Sequence, residues 1–283
     1  MPDRPAPPPD NAVALVTGAN AGIGRATAID LARRGARVFL AGRSEAKMRP
    51  VIDEIARVRP AASPEYVPLD LGDLESVRQC AAEFLRRDLP LGLLVNNAGV
   101  AGARGLTKSG FELAFGVNHV GHFLLTSLLL DRLKSSAPAR VITVASRAHY
   151  RPKSLDFEAV RRRTRSFTGL HEYGVAKLAN VLFSAELARR LEGTGVTAYS
   201  LHPGVVASEI WQRVPPPFRS LMKLFMISPE EGAKTTIHCA TSAEVAAESG
   251  LYYDQCRPKR PSRLARDAAL AAELWRRSEA WTA

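Results

Sequence analysis

The chain has 283 residues, 46% of them hydrophobic, and a formal net charge of +11 at pH 7. A chain of this length and composition can bury a full core as one large α/β domain or two small ones, so we expect it to fold unaided. The three cysteines, Cys80, Cys239 and Cys256, are far apart and form no C-x-x-C pair. Neither a disulfide framework nor a metal site is therefore indicated, and a reducing, cytoplasmic location fits.

The positive charge is compatible with an acidic partner: nucleic acid, an anionic membrane surface or a phosphate-bearing cofactor. Most arginines are scattered along predicted helices, where they are typical of solvated faces. The denser run RRRTR, residues 161–165, and the later stretch CRPKRPSRLARD lack the interleaved aromatic residues of a surface that binds single strands. The sequence therefore predicts no nucleic-acid partner.

The first ten residues are polar and rich in proline, without the apolar core of a signal peptide. We expect residues 1–10 to form a disordered lead. No later stretch reaches about 18 uninterrupted apolar residues, the length that a membrane-spanning helix needs. The sequence therefore predicts no membrane anchor.

Five short apolar runs follow in the order VALVT, RVFLAG, GLLVNN, RVITVAS and VTAYSLHPG, with helical patterns between them. The first predicted helix has a C-cap at Gly35, and a later one begins near Asp73. This alternation predicts an α/β fold, a doubly wound parallel sheet with helices on both faces. No linker or repeat interrupts the chain up to about residue 255, so we expect one domain over residues 11–255.

The stretch TGANAGIGRA, residues 17–26, places glycines at 18, 22 and 24 between the first strand and the first helix. Such a turn brings backbone N–H groups and the positive end of a helix against an anion, which favours a phosphorylated ligand. A tight turn with close packing also selects glycine, so the loop by itself leaves both interpretations open.

Later motifs remove this ambiguity. After the glycine loop come NNAG at 96–99, Asn118 within GVNHVG, Ser146 within VAS, Tyr173 and Lys177 within YGVAK, and HPG at 202–204. In this order the chain resembles the short-chain dehydrogenase/reductase family over roughly residues 11–255. The resemblance implies a single-domain Rossmann fold and a nicotinamide-dependent oxidoreductase.

Tyr173 and Lys177 are four residues apart, so on a helix they share one face. A neighbouring ammonium group favours the phenolate, and we therefore expect Lys177 to lower the pKa of Tyr173. A surface pair at this spacing is the alternative. The resemblance implies that Tyr173 is the acid/base, Ser146 steadies the substrate oxygen, Lys177 also holds the nicotinamide ribose, and Asn118 anchors a water behind the lysine.

The end of the second strand, FLAGRS, distinguishes the two nicotinamide cofactors. Gly42 stands where an NAD-type member would carry its acidic residue, and Arg43 offers a guanidinium suited to a 2′-phosphate. Arg25 is a second cationic candidate, or else a solvated arginine at the start of a helix. These residues predict NADP(H).

The remaining cofactor contacts are implied by the resemblance. Ser208 stands where many members have a threonine near the pyrophosphate. The other positions are Gly18, Asn20, Ala21, Gly22, Ile23, Gly24, Asp70, Leu71, Asn96, Asn97, Ala98, Gly99, Tyr173, Lys177, Pro203, Gly204 and Val205.

The gap of 27 residues between Ser146 and Tyr173 is longer than is common in the family. With VNHVGHFLLTSLLL and GVTAYSLHPGVV, it makes the chain similar to the retinol dehydrogenase-like branch, which includes WW-domain oxidoreductases. That branch acts on hydrophobic aldehydes, ketones and alcohols such as retinoids. The chain departs from the membrane-bound members in showing no N-terminal apolar anchor, and from the WW-domain members in showing no WW module.

The segment at about 208–228 carries three consecutive prolines among large apolar residues, which favours a lid over an apolar substrate, against a packed surface excursion. Residues 256–283 form a basic tail with helical spacing, in which Trp275 and Trp281 are predicted packing residues. The resemblance also implies a homodimer or homotetramer. The function predicted is NADP(H)-dependent interconversion of a small apolar carbonyl and its alcohol; a dinucleotide-binding regulator without turnover is the alternative.

Overall fold

The computed structural model describes residues 12–60, 64–206 and 227–283. The described strands form one eight-stranded sheet in the order β3-β2-β1-β4-β5-β6-β7-β8. All neighbouring pairs are parallel except β7 and β8. The strands are β1 (Val13–Thr17), β2 (Arg37–Gly42), β3 (Glu65–Pro68), β4 (Leu93–Asn96), β5 (Ala139–Val144), β6 (Val196–His202), β7 (Tyr252–Asp254) and β8 (Arg257–Pro258).

The helices cover both faces of the sheet, which confirms the doubly wound architecture. One apolar layer contains buried residues of α1, α2 and α7, and the opposite layer contains those of α3, α5, α6 and α8. The helices are α1 (Gly22–Arg33), α2 (Glu45–Val58), α3 (Leu74–Leu85), α4 (Leu113–Phe115), a π-helical turn (Gly116–Val120), α5 (Gly121–Ser135), α6 (Leu170–Arg190), α7 (Pro229–Thr241) and α8 (Ala268–Thr282).

Local sequence signals set the helix ends much as predicted. Asp73 is the N-cap of α3 and accepts a hydrogen bond from Glu75 N. Gly35 follows the C-terminus of α1 with φ +109°, the conformation expected just beyond a helix end. Ser44 caps α2 in the same way as Asp73 caps α3. Ser44 and Asp73 thus fix where α2 and α3 begin after the carboxyl ends of β2 and β3.

Among the described residues, one helical stretch, Leu113–Ser135, is long and apolar enough to cross a membrane by length and composition. However, 72% of its most apolar window is buried inside the fold. A helix that is apolar on all sides belongs in a core when other elements surround it, and α5 packs on α3, β4 and β5. The absence of a membrane anchor therefore stays a prediction.

The C-terminal residues continue the same core. Pro258 of β8 pairs with Tyr253 of β7, and α8 packs along α6. Trp275 is 6% exposed and stacks on Phe183 with ring centroids 5.8 Å apart. Trp281 lies edge-on to Phe111 at 5.7 Å. Both tryptophans are thus packing residues, as predicted.

Candidate active site

A groove of about 800 Å³ opens at the carboxyl edge of the parallel strands, where β1 and β4 are neighbours in the sheet and their crossovers run in opposite directions. In open α/β sheets this switch point is where ligands bind. Much of the predicted cofactor site lines it. The predicted residues in its wall are Gly18, Asn20, Ala21, Gly22, Ile23, Gly24, Arg43, Asp70, Leu71, Asn97, Ala98 and Gly99.

The glycine loop is packed too closely to accept side chains. A Cβ on Gly18, which has φ +66°, would lie 2.9 Å from Ala98, and one on Gly24 would lie 2.4 Å from the carbonyl oxygen of Gly18. The first N–H groups of α1 have no capping side chain at Ala21, and its first turn holds no acidic residue. This is a fit for a phosphate-bearing dinucleotide, because an anion satisfies those N–H groups.

The ends of β1 and β4 are joined by Thr17, a residue that the sequence analysis did not single out. Its hydroxyl oxygen accepts hydrogen bonds of 2.9 Å from the backbone N–H groups of Asn97 and Ala98. The Asn97 amide in turn donates to Thr17 O at 2.8 Å. Asn96 does not line the groove, because it is buried and donates to Thr126 Oγ1 at 2.9 Å. The signal for Thr17 was its place at the head of the glycine motif.

Two cationic side chains stand at the end of β2. Arg43 and Lys47 both line the groove and are exposed. Neither side chain forms a hydrogen bond or ion pair with any residue in the described ranges, since the nearby Glu45 pairs with Arg49 at 3.0 Å. Lys47 was missed in the sequence, although it lies in the first turn of α2, four residues beyond Arg43.

Arg25 is a correction to the predicted cofactor site. Its guanidinium forms an ion pair with Glu54 of α2, and it is not among the residues that line the groove. The side chain points back across α1 toward α2 because a carboxylate is available there. The alternative interpretation, an arginine at the start of a helix, therefore describes it better.

Ser146 and Tyr173 meet above the carboxyl end of β5. Ser146 begins a short 3₁₀ turn, Arg147–Tyr150, and its hydroxyl accepts a hydrogen bond from Ala148 N at 3.1 Å. The same side chain is hydrogen-bonded to the Tyr173 phenol. Helix α6 approaches this turn closely because residue 174 is glycine, whose Cβ position lies 3.2 Å from Ala148 O.

Lys177 lies beneath Tyr173, 2% exposed, with Nζ 5.6 Å from the centre of the phenol ring. Its ammonium group donates to Val144 O at 2.7 Å. A Cβ on Gly99 would lie 3.6 Å from this Nζ and 3.1 Å from Asn118 Oδ1. The structure thus brings the predicted catalytic residues together.

Asn118 lies in the π-helical turn, a distortion that is frequent at functional sites. Its amide oxygen accepts from Val100 N at 2.8 Å, and its amide nitrogen donates to Val100 O at 3.0 Å. Its main-chain oxygen lies 3.0 Å from Nδ1 of His122, whose Nε2 is 2.9 Å from Thr17 Oγ1. This chain of contacts, which the sequence did not indicate, connects Asn118 to the glycine loop.

Burial dominates the titration of the Tyr–Lys pair. It raises the pKa of Tyr173 to about 12, with the hydrogen bond from Ser146 acting in the opposite direction. Burial also lowers the pKa of Lys177 to about 7. The prediction that Lys177 brings the pKa of Tyr173 below its ordinary value is therefore wrong for this geometry, because the cost of burying a phenolate outweighs the lowering effects, which come from Ser146 and Arg151.

The residues after β6 lie at the same edge of the sheet but do not line the groove. Val205 O accepts a hydrogen bond of 2.9 Å from Ile227 N, and Pro203 O is 3.3 Å from the Cβ position of Gly232. That same Cβ position lies 3.4 Å from Ile23, a groove residue, so Pro203, Gly204 and Val205 stand beside the glycine loop. Ser208 and the predicted lid up to residue 226 lie outside the described residues.

This arrangement defines an α/β oxidoreductase that binds a nicotinamide dinucleotide at the switch point of its sheet. Comparison with known proteins gives the family. The profile of the short chain dehydrogenases matches residues 12–156. Retinol dehydrogenase 12 of Mus musculus is 44% identical over 276 residues, covering 93% of this chain and 84% of that protein. The chain belongs to the short-chain dehydrogenase/reductase family and is retinol dehydrogenase-like.

Further relatives agree. The dehydrogenase/reductase SDR family member 13 of Bos taurus is 44% identical over 271 residues, covering 94% of this chain and 71% of that protein. A crystal structure of an uncharacterised Mycobacterium paratuberculosis protein superposes with a TM-score of 0.79 and 34% identity over 98% of this chain and 95% of that one. The RhlG/NADP complex of Pseudomonas aeruginosa superposes with a TM-score of 0.69 and 26% sequence identity, over 92% of this chain and 96% of that one.

Proposed function

We propose that the chain is an NADP(H)-dependent oxidoreductase that interconverts an apolar aldehyde or ketone, of retinal-like character, with its alcohol. One observation carries the cofactor choice: Arg43 and Lys47 stand unpaired in the groove beside Gly42, where a carboxylate would be needed to hold a ribose 2′-hydroxyl. A 2′-phosphate would supply the anion that both cations lack.

The substrate class is supported by the relatives. Several of the most similar proteins are named retinol dehydrogenases, and retinol is an apolar alcohol. The extra chain between Ser146 and Tyr173 contributes Leu155 and Val160 to the apolar cluster that also contains Tyr173. An apolar environment at the phenol suits a substrate whose reacting oxygen is its one polar group.

When bound, the cofactor supplies hydride to the carbonyl carbon or accepts it from the alcohol. The Ser146 hydroxyl orients the substrate oxygen. In reduction Tyr173 donates its proton to that oxygen, and in oxidation it accepts the proton back. Charged Lys177 stabilises the phenolate that reduction leaves behind. Arg43 and Lys47 would hold the 2′-phosphate, and the N–H groups at the start of α1 would hold the pyrophosphate.

The test is cofactor consumption against a panel of apolar aldehydes and ketones that includes retinal. NADPH and NADH are compared for the wild-type protein and for Tyr173→Phe, which keeps the aromatic ring and removes the hydroxyl that carries the transferred proton. We expect NADPH-selective turnover that falls about 10²- to 10⁴-fold in the variant, the usual contribution of a positioned acid/base. If Tyr173→Phe lost NADPH binding as strongly as it lost turnover, the variant would instead have a damaged fold.

Two results would contradict the proposal. Turnover that is as fast with NADH as with NADPH would remove the role of Arg43 and Lys47. Tight NADPH binding without reduction of any carbonyl, in both proteins, would favour the dinucleotide-binding regulator.

A further inference from the structure

His149 lies directly beneath the turn that carries Ser146, and the proposed reaction gives it no role. It is fully buried, three residues beyond Ser146. Its backbone N–H donates to Ser146 O at 3.1 Å, and its ring Nδ1 lies 2.7 Å from the same oxygen. Ser146 O therefore has two contacts with one residue.

The far side of the ring faces a different part of the chain. Ser262 N donates to His149 Nε2 at 3.2 Å. A backbone N–H can only donate and a carbonyl oxygen can only accept, so Nε2 must be the unprotonated nitrogen and Nδ1 must carry the proton. The two contacts define one neutral tautomer and are both satisfied in it.

Aromatic rings hold the imidazole in this orientation. The ring centroid of Tyr150 is 4.0 Å from that of His149, and the ring of Tyr252 meets it edge-on at 4.7 Å. The Tyr150 hydroxyl donates to Arg260 O at 2.6 Å. The segment 257–262 thus contacts the Arg147–Tyr150 turn through Arg260 as well as Ser262.

A third connection joins segment 257–262 to the Arg147–Tyr150 turn through an acidic residue of β7. Asp254 is 4% exposed at its side chain and accepts from Arg147 Nε at 2.9 Å and from Lys259 Nζ at 2.7 Å. The basic segment after β7, which the sequence left without a role, is therefore attached to the catalytic turn at several points.

We propose that His149 is a positioning residue for Ser146: its Nδ1–H holds the Ser146 carbonyl, while Ser262 fixes the ring, so that segment 257–262 orients the catalytic hydroxyl. This inference rests on the proposed function, since it assigns the hydroxyl its part in that reaction. The competing explanation is a buried histidine that merely stabilises the fold. The two differ in which hydrogen bond matters for turnover.

Three substitutions separate the contacts. His149→Phe keeps an aromatic ring between Tyr150 and Tyr252 and removes both hydrogen bonds. His149→Asn places an amide N–H near the Nδ1 position, and His149→Gln places an amide oxygen near the Nε2 position. The measurements are kcat and KM for carbonyl reduction, the Kd for NADPH and the urea midpoint of unfolding.

We expect His149→Phe to lower kcat about 10- to 100-fold, as displacement of a reacting group does, with the Kd for NADPH unchanged. His149→Asn should restore most of kcat, and His149→Gln should restore little, whatever their urea midpoints. If kcat instead follows the urea midpoint across the three variants, or if His149→Phe keeps the wild-type kcat, the inference is overturned.

Nitrogen-15 NMR of histidine-labelled protein gives a second readout that needs no substrate, with His149→Phe used to assign the signal. We expect the Nδ1–H tautomer at neutral pH, and the Nε2–H tautomer would overturn the inference. If the wild-type protein reduces no carbonyl, the proposed function is refuted, and the catalytic role of Ser146 is refuted with it. An active wild type with an insensitive His149 would defeat the positioning inference and leave the function standing.

Discussion

The ammonium group of Lys177 donates a 2.7 Å hydrogen bond to the carbonyl oxygen of Val144, the last residue of β5. Burial lowers the pKa of this lysine to about 7, and no carboxylate in the described part of the chain offsets that effect. Its charge is therefore lost near neutrality, unlike that of an exposed lysine. Since reduction leaves a phenolate on Tyr173, the charge state of Lys177 should control the rate.

We expect kcat/KM for carbonyl reduction to fall as the pH rises through about 7, because deprotonated Lys177 no longer stabilises that phenolate. The pH profile is measured from pH 5.5 to 9.5 for the wild type and for Lys177→Met. The variant should be slow with no step near pH 7. A wild-type profile that is flat across this range would refute the assignment.

Cofactor selectivity should depend on the end of β2. Arg43→Ala and Lys47→Ala should each weaken NADPH binding roughly 10- to 100-fold, the range for a lost hydrogen bond between charged groups, and should leave NADH binding nearly unchanged. Equilibrium titration by fluorescence measures both. Equal weakening of both cofactors would show that these side chains do not contact the 2′-phosphate.

Gly42→Asp should shift the preference toward NADH by adding the missing carboxylate. A Cβ at this position meets the terminal methyl of Met48 at 2.5 Å, and a methionine end can move. Gly42→Ala is the matched control, since it adds the Cβ without the charge. If Gly42→Asp and Gly42→Ala changed the cofactor preference equally, steric crowding and not charge would determine the preference.

The insertion between Ser146 and Tyr173 should depend on one buried hydroxyl. Thr164 Oγ1 accepts from Gly105 N at 3.0 Å and donates to Glu112, whose own backbone N–H donates to Val160 O at 2.8 Å. Thr164→Val leaves a carboxylate and an N–H buried without this partner, at a cost of about 1–3 kcal/mol in the free energy of unfolding. Urea unfolding measures it, and Thr164→Ser should cost much less.

Acid should destabilise the protein through its buried histidines. Burial lowers the pKa of His119 to about 3, and those of His122 and His202 to about 4. The unfolded chain takes up protons near pH 6.5 and the folded chain does not, so the stability is complete above that pH and is lost as the pH falls toward 4. Shifts of this size correspond to about 3–5 kcal/mol per histidine.

His119→Phe tests the contribution of one of these histidines to the acid loss of stability. In the wild type, His119 Nε2 contacts Ser278 at 3.0 Å, whereas Nδ1 is buried without a partner among the described residues. Phe115 and Phe183 lie beside the ring. We expect a lower urea midpoint at pH 7.5, because the buried Ser278 hydroxyl loses its partner, and a smaller further loss between pH 7.5 and 4.5 than in the wild type. An unchanged acid loss would assign the effect to other groups.

The short strands β3, β7 and β8 were not located among the apolar runs of the sequence. The amino-acid sequence by itself determined the order of the other five strands with the helices between them, and the family. Both depend on local features: the period of the apolar residues, the caps at Gly35 and Asp73, and motifs whose members are a few residues apart. It also predicted the catalytic set of Ser146, Tyr173, Lys177 and Asn118, because the order of the motifs that carry them resembles that of the family.

Only the tertiary structure decided which side chains face the groove and which partners they take. Arg25 left the site because its guanidinium pairs with Glu54, and Lys47 joined it because the start of α2 lies beside the groove. The contact between His149 and Ser262 spans 113 residues of sequence. Burial, which depends on everything packed around a group, reversed the expected direction of the Tyr173 pKa. Sequence spacing sets local geometry, whereas solvent exclusion and long-range hydrogen bonds exist only once the chain has folded.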